Sequence, residues 1–208
     1  MKYLNKNELL NKLEKMAILD IIMQSKEDAW LRLINASCFE DGKKFVIANG
    51  SGDELTVYIT DNGVYIRGFD HESERNQFAE DEVDDSFFEK IYKNAPEEFL
   101  TLLEDEEKIE TTFCMWNLDE TDEWQENEID LDTEYGDGGI DFLLGYICTN
   151  AEQWCDWAKD YYEEEFDIEV VNRIYEGNTV TAEDIEGLKP DRDAEEVLNE
   201  MKQDLNIM

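Results

Sequence analysis

The residues best suited to chemistry lie in the segment 68–73, which reads GFDHES and contains the only histidine of the chain. An imidazole that titrates near neutrality can carry a proton or bind a metal, and a neighbouring carboxylate can orient it. Asp70, His71 and Glu72 are therefore the candidate catalytic residues, provided that the chain turns after Phe69. The alternative is structural, because polar side chains at a strand end commonly bond the adjoining backbone.

Alternating carboxylates form a second candidate, with the order Asp130, Asp132 and Glu134. Such carboxylates supply the oxygen ligands that calcium takes, but an EF-hand loop needs Gly at its sixth position and Glu at its twelfth. Tyr135 and Asp141 occupy those positions here. The sequence therefore predicts no metal site and an acidic, solvated loop over 119–137.

Other catalytic and cofactor motifs are missing from the sequence. There is no Gly-x-Ser-x-Gly elbow, no histidine pair and no phosphate-binding loop ending in Gly-Lys-Ser/Thr. The glycine-rich segment 49–53 lies between two predicted strands and is interpreted as a turn. The four cysteines form no Cys-x-x-Cys motif, so they are interpreted as buried thiols and not as a zinc site. No cofactor is predicted.

The charge of the chain favours some partners over others. The 55 acidic residues against 18 basic ones give a formal charge of −37. This charge argues against direct binding to nucleic acid or to an anionic membrane surface, and it favours a basic protein partner. The excess is concentrated in 80–141, where 24 residues are acidic and three are basic.

Composition also bears on location. No secretory signal and no apolar stretch long enough to span a bilayer are found, so the sequence predicts a cytoplasmic protein without a membrane segment.

The preferred functional hypothesis is a non-enzymatic, acidic protein-binding protein. An immunity-type inhibitor or a nucleic-acid mimic is a concrete form of it, in which exposed aromatic side chains anchor a basic partner. The candidate binding residues are Trp116, Trp124, Asp130, Asp132, Glu134 and Tyr135. Two alternatives remain: a small hydrolase-like enzyme that uses His71 with Asp70 or Glu72, or a domain whose tryptophans are core and whose acidity serves only solubility.

Hydrophobic periodicity predicts a single α+β domain over 1–208, with a central antiparallel meander at about 44–70 flanked by helices. Asn62-Gly63 is expected to form a type I′ hairpin turn inside the meander. A further strand is expected at 111–116 and another at 168–175.

Helices are expected over most of the remaining chain. The predicted helical segments are 7–21, a second helix through Ala29 and Ile34, a helix through 87–92, a further one after Pro96 through 99–103, a helix from Ile140, one capped by Thr149 or Asn150, and the end from Thr181.

The two segments NGSGD (49–53) and GFDHES (68–73) resemble a segment of uncharacterised bacterial proteins. In its general style the chain is also similar to the small acidic immunity proteins of bacteria, which neutralise basic toxins. The second resemblance implies an inhibitory, protein-binding role, whereas the first implies no activity.

Overall fold

The computed structural model describes residues 4–79, 85–121, 123–126 and 136–207. In this part of the chain, nine α-helices accompany one six-stranded antiparallel sheet, so the predicted α+β class is confirmed. The strands are β1 (Ile34–Phe39), β2 (Gly42–Ala48), β3 (Glu54–Thr60), β4 (Gly63–Phe69), β5 (Phe113–Leu118) and β6 (Trp124–Glu126). They are adjacent in the sheet in chain order, which is a meander.

The described part of the chain also contains nine α-helices. They are α1 (Lys6–Met23), α2 (Asp85–Ile91), α3 (Glu97–Leu102), α4 (Asp105–Ile109), α5 (Ile140–Leu144), α6 (Ala151–Tyr162), α7 (Ile168–Tyr175), α8 (Ala182–Leu188) and α9 (Ala194–Leu205). Asn150 caps α6, since its side chain accepts a hydrogen bond from the Gln153 N–H, as one of the two predicted caps requires.

The predicted three-stranded meander is confirmed as β2, β3 and β4, but its turn differs from the expected type. The register pairs Ile59 with Val64, and neither Asn62 nor Gly63 has a positive φ. The type I′ prediction is therefore wrong. Gly63 is needed for space, because a Cβ there would lie 2.4 Å from the Asn117 carbonyl oxygen of β5.

Two other predictions of secondary structure are wrong. The helix expected through Ala29 and Ile34 is a single 3-10 turn, Ala29–Leu31, followed by β1. The Ile34 N–H that begins β1 donates to the buried Asp20 carboxylate at 2.9 Å, a tertiary contact that favours the extended chain.

The strand expected at 168–175 is the helix α7. Asp167 caps it by accepting a hydrogen bond from the Glu169 N–H, and Val170, Val171 and Ile174 share its buried face. Capping and helical burial outweigh the strand preference of these β-branched residues.

The chain divides into two compact units. The first unit contains Val46–Tyr146 and the residues up to Lys6, and its core includes Tyr65, stacked on Phe99 with ring centroids 5.4 Å apart. The second unit contains Asn7–Phe45 and the residues from Ile147 onward, with α9 packed on β1. The predicted single domain over 1–208 stays a prediction. None of the described helices is long and apolar enough to cross a membrane.

Candidate functional site

His71 lies in the turn that directly follows β4, so the chain bends after Phe69 as the hypothesis of a catalytic His71 requires. The Ser73 N–H donates to the Asp70 carbonyl at 3.1 Å and closes this turn. One oxygen of Asp53, Oδ1, accepts both from the His71 N–H at 3.0 Å and from the ring at Nδ1, 2.7 Å away. The carboxylate that orients the ring is therefore Asp53.

The register of the β3–β4 hairpin explains this pairing. Glu54 lies opposite Phe69, so the next position outward places Asp53 beside Asp70 and His71. Sequence reasoning missed Asp53, although the predicted hairpin contained the signal, since residues equally distant from a hairpin turn lie opposite each other.

The segment 49–53 forms the turn that was predicted for it, and this turn fixes the Asp53 carboxylate. The Asn49 N–H donates to the Asp53 carbonyl at 3.3 Å, and the Asn49 amide donates to Asp53 Oδ2 at 2.6 Å. Gly50 and Gly52 both have positive φ, at 73° and 103°. A Cβ on Gly52 would lie only 3.5 Å from the His71 ring, so the turn packs directly against the imidazole.

The other two predicted catalytic residues are differently engaged. Asp70 Oδ1 accepts from the Glu72 N–H at 3.0 Å, which stabilises the turn. Glu72 is exposed, and its carboxylate lies 3.9 Å from His71 Nε2, beyond hydrogen-bond distance. Neither carboxylate is hydrogen-bonded to the ring.

Burial and hydrogen bonding set the charge states of the pair. Burial alone would raise the pKa of Asp53, but hydrogen bonds from the His71 ring, the His71 N–H and Asn49 outweigh it and lower the pKa below its usual range. The hydrogen bond to Asp53 in turn raises the pKa of His71. The ring remains 41% exposed, so Nε2 is available to a substrate or to solvent.

Asp53, Asp70 and His71 could also supply metal ligands, because one ligand atom of each lies within 4.8 Å of the others. The 2.7 Å hydrogen bond between Asp53 Oδ1 and His71 Nδ1 occupies two of the available donor atoms. As it stands, the arrangement is that of an imidazole oriented by a carboxylate.

The candidate binding residues are only partly described. Trp116 is 2% exposed, and its indole N–H donates to the Gln125 amide oxygen at 3.1 Å. Trp124 is half-buried and donates to the Leu4 carbonyl at 3.1 Å. Asp130, Asp132, Glu134 and Tyr135 lie outside the described residues, as does much of the predicted acidic loop. Because Trp116 is almost fully buried, it is a core residue.

The surface next to these tryptophans is not acidic throughout. Trp116 and Trp124 line a cleft of about 500 Å³ together with Lys90 and Lys93, which are both exposed. Two ammonium groups at this position argue against a basic partner here.

An aromatic and acidic surface that the sequence analysis did not single out lies on α6. We call it the α6 surface and define it as Trp30, Asp156, Trp157, Asp160 and Tyr161. Trp157 and Tyr161 stack with centroids 4.7 Å apart and ring planes inclined by 24°. Trp30 is 76% exposed and Tyr161 is 38% exposed.

One hydrogen bond and a local charge excess characterise this surface. The Tyr161 hydroxyl donates to the Leu31 carbonyl at 2.9 Å, which holds α6 next to the chain segment that carries Trp30. Between residues 151 and 167, seven side chains are acidic and one is basic. The i, i+4 spacing of both the aromatic and the acidic pair was the sequence signal for a common face.

Comparison of the chain with protein-family models, with curated proteins and with solved structures found no match in any of the three. Any function of the protein is therefore inferred from the geometry of its own residues.

Proposed function

We propose that the protein binds a basic protein partner through the α6 surface, without catalysing a reaction. The observation that carries this proposal is the stacked pair of half-buried Trp157 and exposed Tyr161, which lies on the helix that also carries the exposed carboxylates Asp156 and Asp160. Contiguous exposed apolar patches often mark interaction sites, and Trp30 and Tyr161 of the α6 surface are both exposed.

The chemistry of the α6 surface suits an arginine-rich segment. A guanidinium can stack on an indole or phenol ring while its N–H groups donate to a carboxylate. Asp156 and Asp160 are exposed residues of the helix that carries Trp157 and Tyr161. The net charge of −37 would accelerate the encounter with a cationic partner. An immunity-type inhibitor of a basic toxin, or a mimic of nucleic acid, fits both properties.

Isothermal titration calorimetry with an oligoarginine peptide tests the proposal. The double variant W157A/Y161A is expected to bind about tenfold more weakly, because removing an anchor residue typically costs more than 1 kcal/mol. F78A is the matched control, since Phe78 is an exposed aromatic residue of the other unit. An oligolysine peptide of the same length should bind more weakly than oligoarginine.

A second pair of variants separates a defined surface from total charge. D156N/D160N and E97Q/E106Q remove the same number of negative charges from exposed positions, but only the first pair lies on the α6 surface. Equal losses of affinity in the two variants, or no loss in W157A/Y161A, would contradict the proposal. Selective loss in D156N/D160N would support it.

A second candidate function is a hydrolase-like enzyme in which His71 acts as the proton carrier. The hydrogen bond between Asp53 Oδ1 and His71 Nδ1 favours it, because this bond fixes the ring with Nε2 outward. Screening ester and phosphoester substrates with wild type and H71Q tests this function. Turnover that H71Q and D53N both abolish would support it, and turnover unchanged in H71Q would exclude His71 from the reaction.

A further inference from the structure

The second unit contains a cavity of about 470 Å³ that shares no lining residue with the α6 surface. It is lined by residues of α1, of α9 and of the segment 177–180 that follows α7. Small-molecule sites commonly have volumes of about 300–1,000 Å³ and a largely apolar lining with a few polar groups. The volume of this cavity falls within that range.

Half of the ten lining residues are apolar, and the others include Asn178, Thr179 and two lysines. Ile18 of α1 and Met201 of α9 are buried, whereas Leu198, Val180 and Ile207 are half-buried. None of the lining residues is aromatic or acidic. Such a wall can bury an aliphatic chain, with about 0.8 kcal/mol gained for each CH₂ group removed from water.

Two lysines provide the charge. Lys15 and Lys202 line the cavity, and neither forms an ion pair with any residue in the described part of the chain. The Lys15 ammonium lies 4.0 Å from the position that a Cβ on Gly177 would occupy, which places it over the segment after α7.

Lys90 and Lys93 also have no ion pair with a described residue, so the position beside aliphatic side chains is what distinguishes Lys15 and Lys202. Several other lysines do have a carboxylate partner, namely Lys6, Lys26, Lys43, Lys108, Lys159 and Lys189. Two unpaired ammonium groups beside an apolar cavity are the recognition elements for an amphipathic anion.

We propose that this cavity binds an aliphatic monocarboxylate of medium chain length. The aliphatic chain packs on Ile18, Leu198 and Met201, and the carboxylate accepts hydrogen bonds from Lys15 and Lys202. A single negative charge fits best, because the field of a chain with net charge −37 repels a multivalent anion more strongly. The lining contains no arginine fork for a phosphate and no aromatic ring for a nucleobase.

Calorimetric titration of the full chain with decanoate tests this proposal, with decanol and acetate as partial ligands. Decanoate should bind, and each partial ligand should bind at least about tenfold more weakly, since it lacks either the charge or the aliphatic chain. The double variant K15Q/K202Q should lower the decanoate affinity by about tenfold or more, while leaving the affinity for decanol unchanged.

The matched control is K90Q/K93Q, which changes the net charge equally but lies at the cleft beside Trp116 and Trp124. If K90Q/K93Q lowers the decanoate affinity and K15Q/K202Q does not, the carboxylate binds elsewhere and the proposal is overturned. Absence of decanoate binding to the wild type overturns it as well.

A second variant tests the apolar wall independently of charge. Val180 is half-buried and outside the helices, so V180W can fill the cavity from its rim with little effect on helix packing. With a wild-type circular dichroism spectrum, V180W should lose binding to both decanoate and decanol. Wild-type affinity in V180W would overturn the placement. Binding of oligoarginine is expected to be unaffected by K15Q/K202Q, so this proposal and the proposed function fail or succeed separately.

Discussion

Asp20 is a fully buried carboxylate on α1 with a strongly shifted pKa. Its Oδ2 accepts a hydrogen bond from the Ile34 N–H at 2.9 Å, and the buried Arg32 lies nearby, paired with Glu200 at 2.8 Å. Burial raises the pKa of Asp20 from its ordinary value of 3.8 to about 7, although the hydrogen bond and Arg32 act in the opposite direction. The side chain is therefore a proton donor or acceptor near neutral pH.

The raised pKa of Asp20 predicts a pH-dependent stability. The protonated side chain contributes stability below pH 4, and this contribution is lost as the pH rises through about 7, because ionisation is easier in the unfolded chain. D20N keeps an oxygen acceptor for Ile34 but cannot ionise, so above pH 7 it should be more stable than wild type by a few kcal/mol at most, at about 1.4 kcal/mol per pKa unit.

Urea unfolding of D20N between about pH 4 and pH 8 measures this effect. The control is D191N, which removes an exposed carboxylate of the same unit. Parallel pH profiles for wild type and D20N would show that Asp20 is not the group responsible.

His71 allows a second prediction at this scale, because it is the only histidine and gives a single set of imidazole NMR signals. The pKa of His71 is raised chiefly by the hydrogen bond to Asp53. The associated stability is present below pH 6.5 and is lost as the pH rises through the pKa of the folded protein.

The expected result is that D53N lowers the pKa of His71, whereas E72Q changes it less, because Glu72 is 3.9 Å from the ring and exposed. The measurement is a pH titration of the imidazole chemical shifts in the two variants and wild type. A larger change in E72Q than in D53N would mean that Asp53 does not orient the ring.

At the scale of elements, Arg67 joins three parts of the first unit. It is fully buried on β4, and its Nε donates to the Glu107 and Glu110 carbonyls at 3.0 and 2.9 Å, at the C-terminal end of α4. Its Nη1 contacts Glu54 of β3 at 2.5 Å. One guanidinium therefore ties α4 to the hairpin that carries the Asp53–His71 pair.

We predict that R67M destabilises the first unit by about 1–3 kcal/mol, because it removes the donor to the Glu110 carbonyl and the cation beside Glu54, whereas the Glu107 carbonyl keeps its hydrogen bond from the Thr111 hydroxyl. Hydrogen exchange of the β3 and β4 amides, measured by NMR, reports the loss. E54Q is the control and should have a smaller effect, since Glu54 is partly exposed and the carbonyl contacts remain. Equal protection in R67M and wild type would contradict the assigned role.

The elements that could be predicted from the sequence are those whose signal is local. The meander was predictable because β3 and β4 are rich in β-branched residues and a turn signal lies between the two strands. β1 was not, because the hydrogen bond from Ile34 to Asp20 comes from a residue 14 positions earlier. α7 was misassigned because Val170 and Val171 favour strands on their own, and burial of one helical face decides otherwise.

The candidate sites likewise divide into features with a local sequence signal and features that depend on tertiary structure. His71 could be found from its residue type, but its partner Asp53 depends on the hairpin register. The exposure of Trp30 and the burial of Trp116 depend on packing, and a tryptophan in an acidic stretch of sequence is compatible with either.

At the scale of the whole molecule, the net charge of −37 must be accommodated by a chain with only 18 basic residues. Repulsion between like charges destabilises a compact state, and salt screens it. Raising NaCl from about 0.1 M to about 1 M shortens the Debye length from about 10 Å to about 3 Å.

The melting temperature is therefore expected to rise by several degrees over this range of salt concentration, because a change of 1 kcal/mol corresponds to about 2–4 °C for a chain of this size. Thermal melts followed by circular dichroism provide the measurement, and equal osmolality of a neutral solute is the control. A melt that NaCl leaves unchanged would mean that the acidic side chains are too far apart to repel each other appreciably.

The order of the elements along the chain also affects how the protein forms during synthesis. The Cys148 N–H contacts the Met16 sulfur at 3.2 Å, and Arg192 donates to the Ile21 and Ile22 carbonyls at 3.3 Å, so α1 is completed by residues far later in the chain. The helix α9 that packs on β1 begins about 150 residues after β1 ends.

At roughly 5–20 residues per second, a ribosome takes on the order of ten seconds to make that intervening length. The first unit, nearly continuous in the chain, can fold during this interval. The apolar face of α1 stays uncovered until those later residues have been synthesised. The nascent chain is therefore most prone to aggregation, and most accessible to chaperones, over this period.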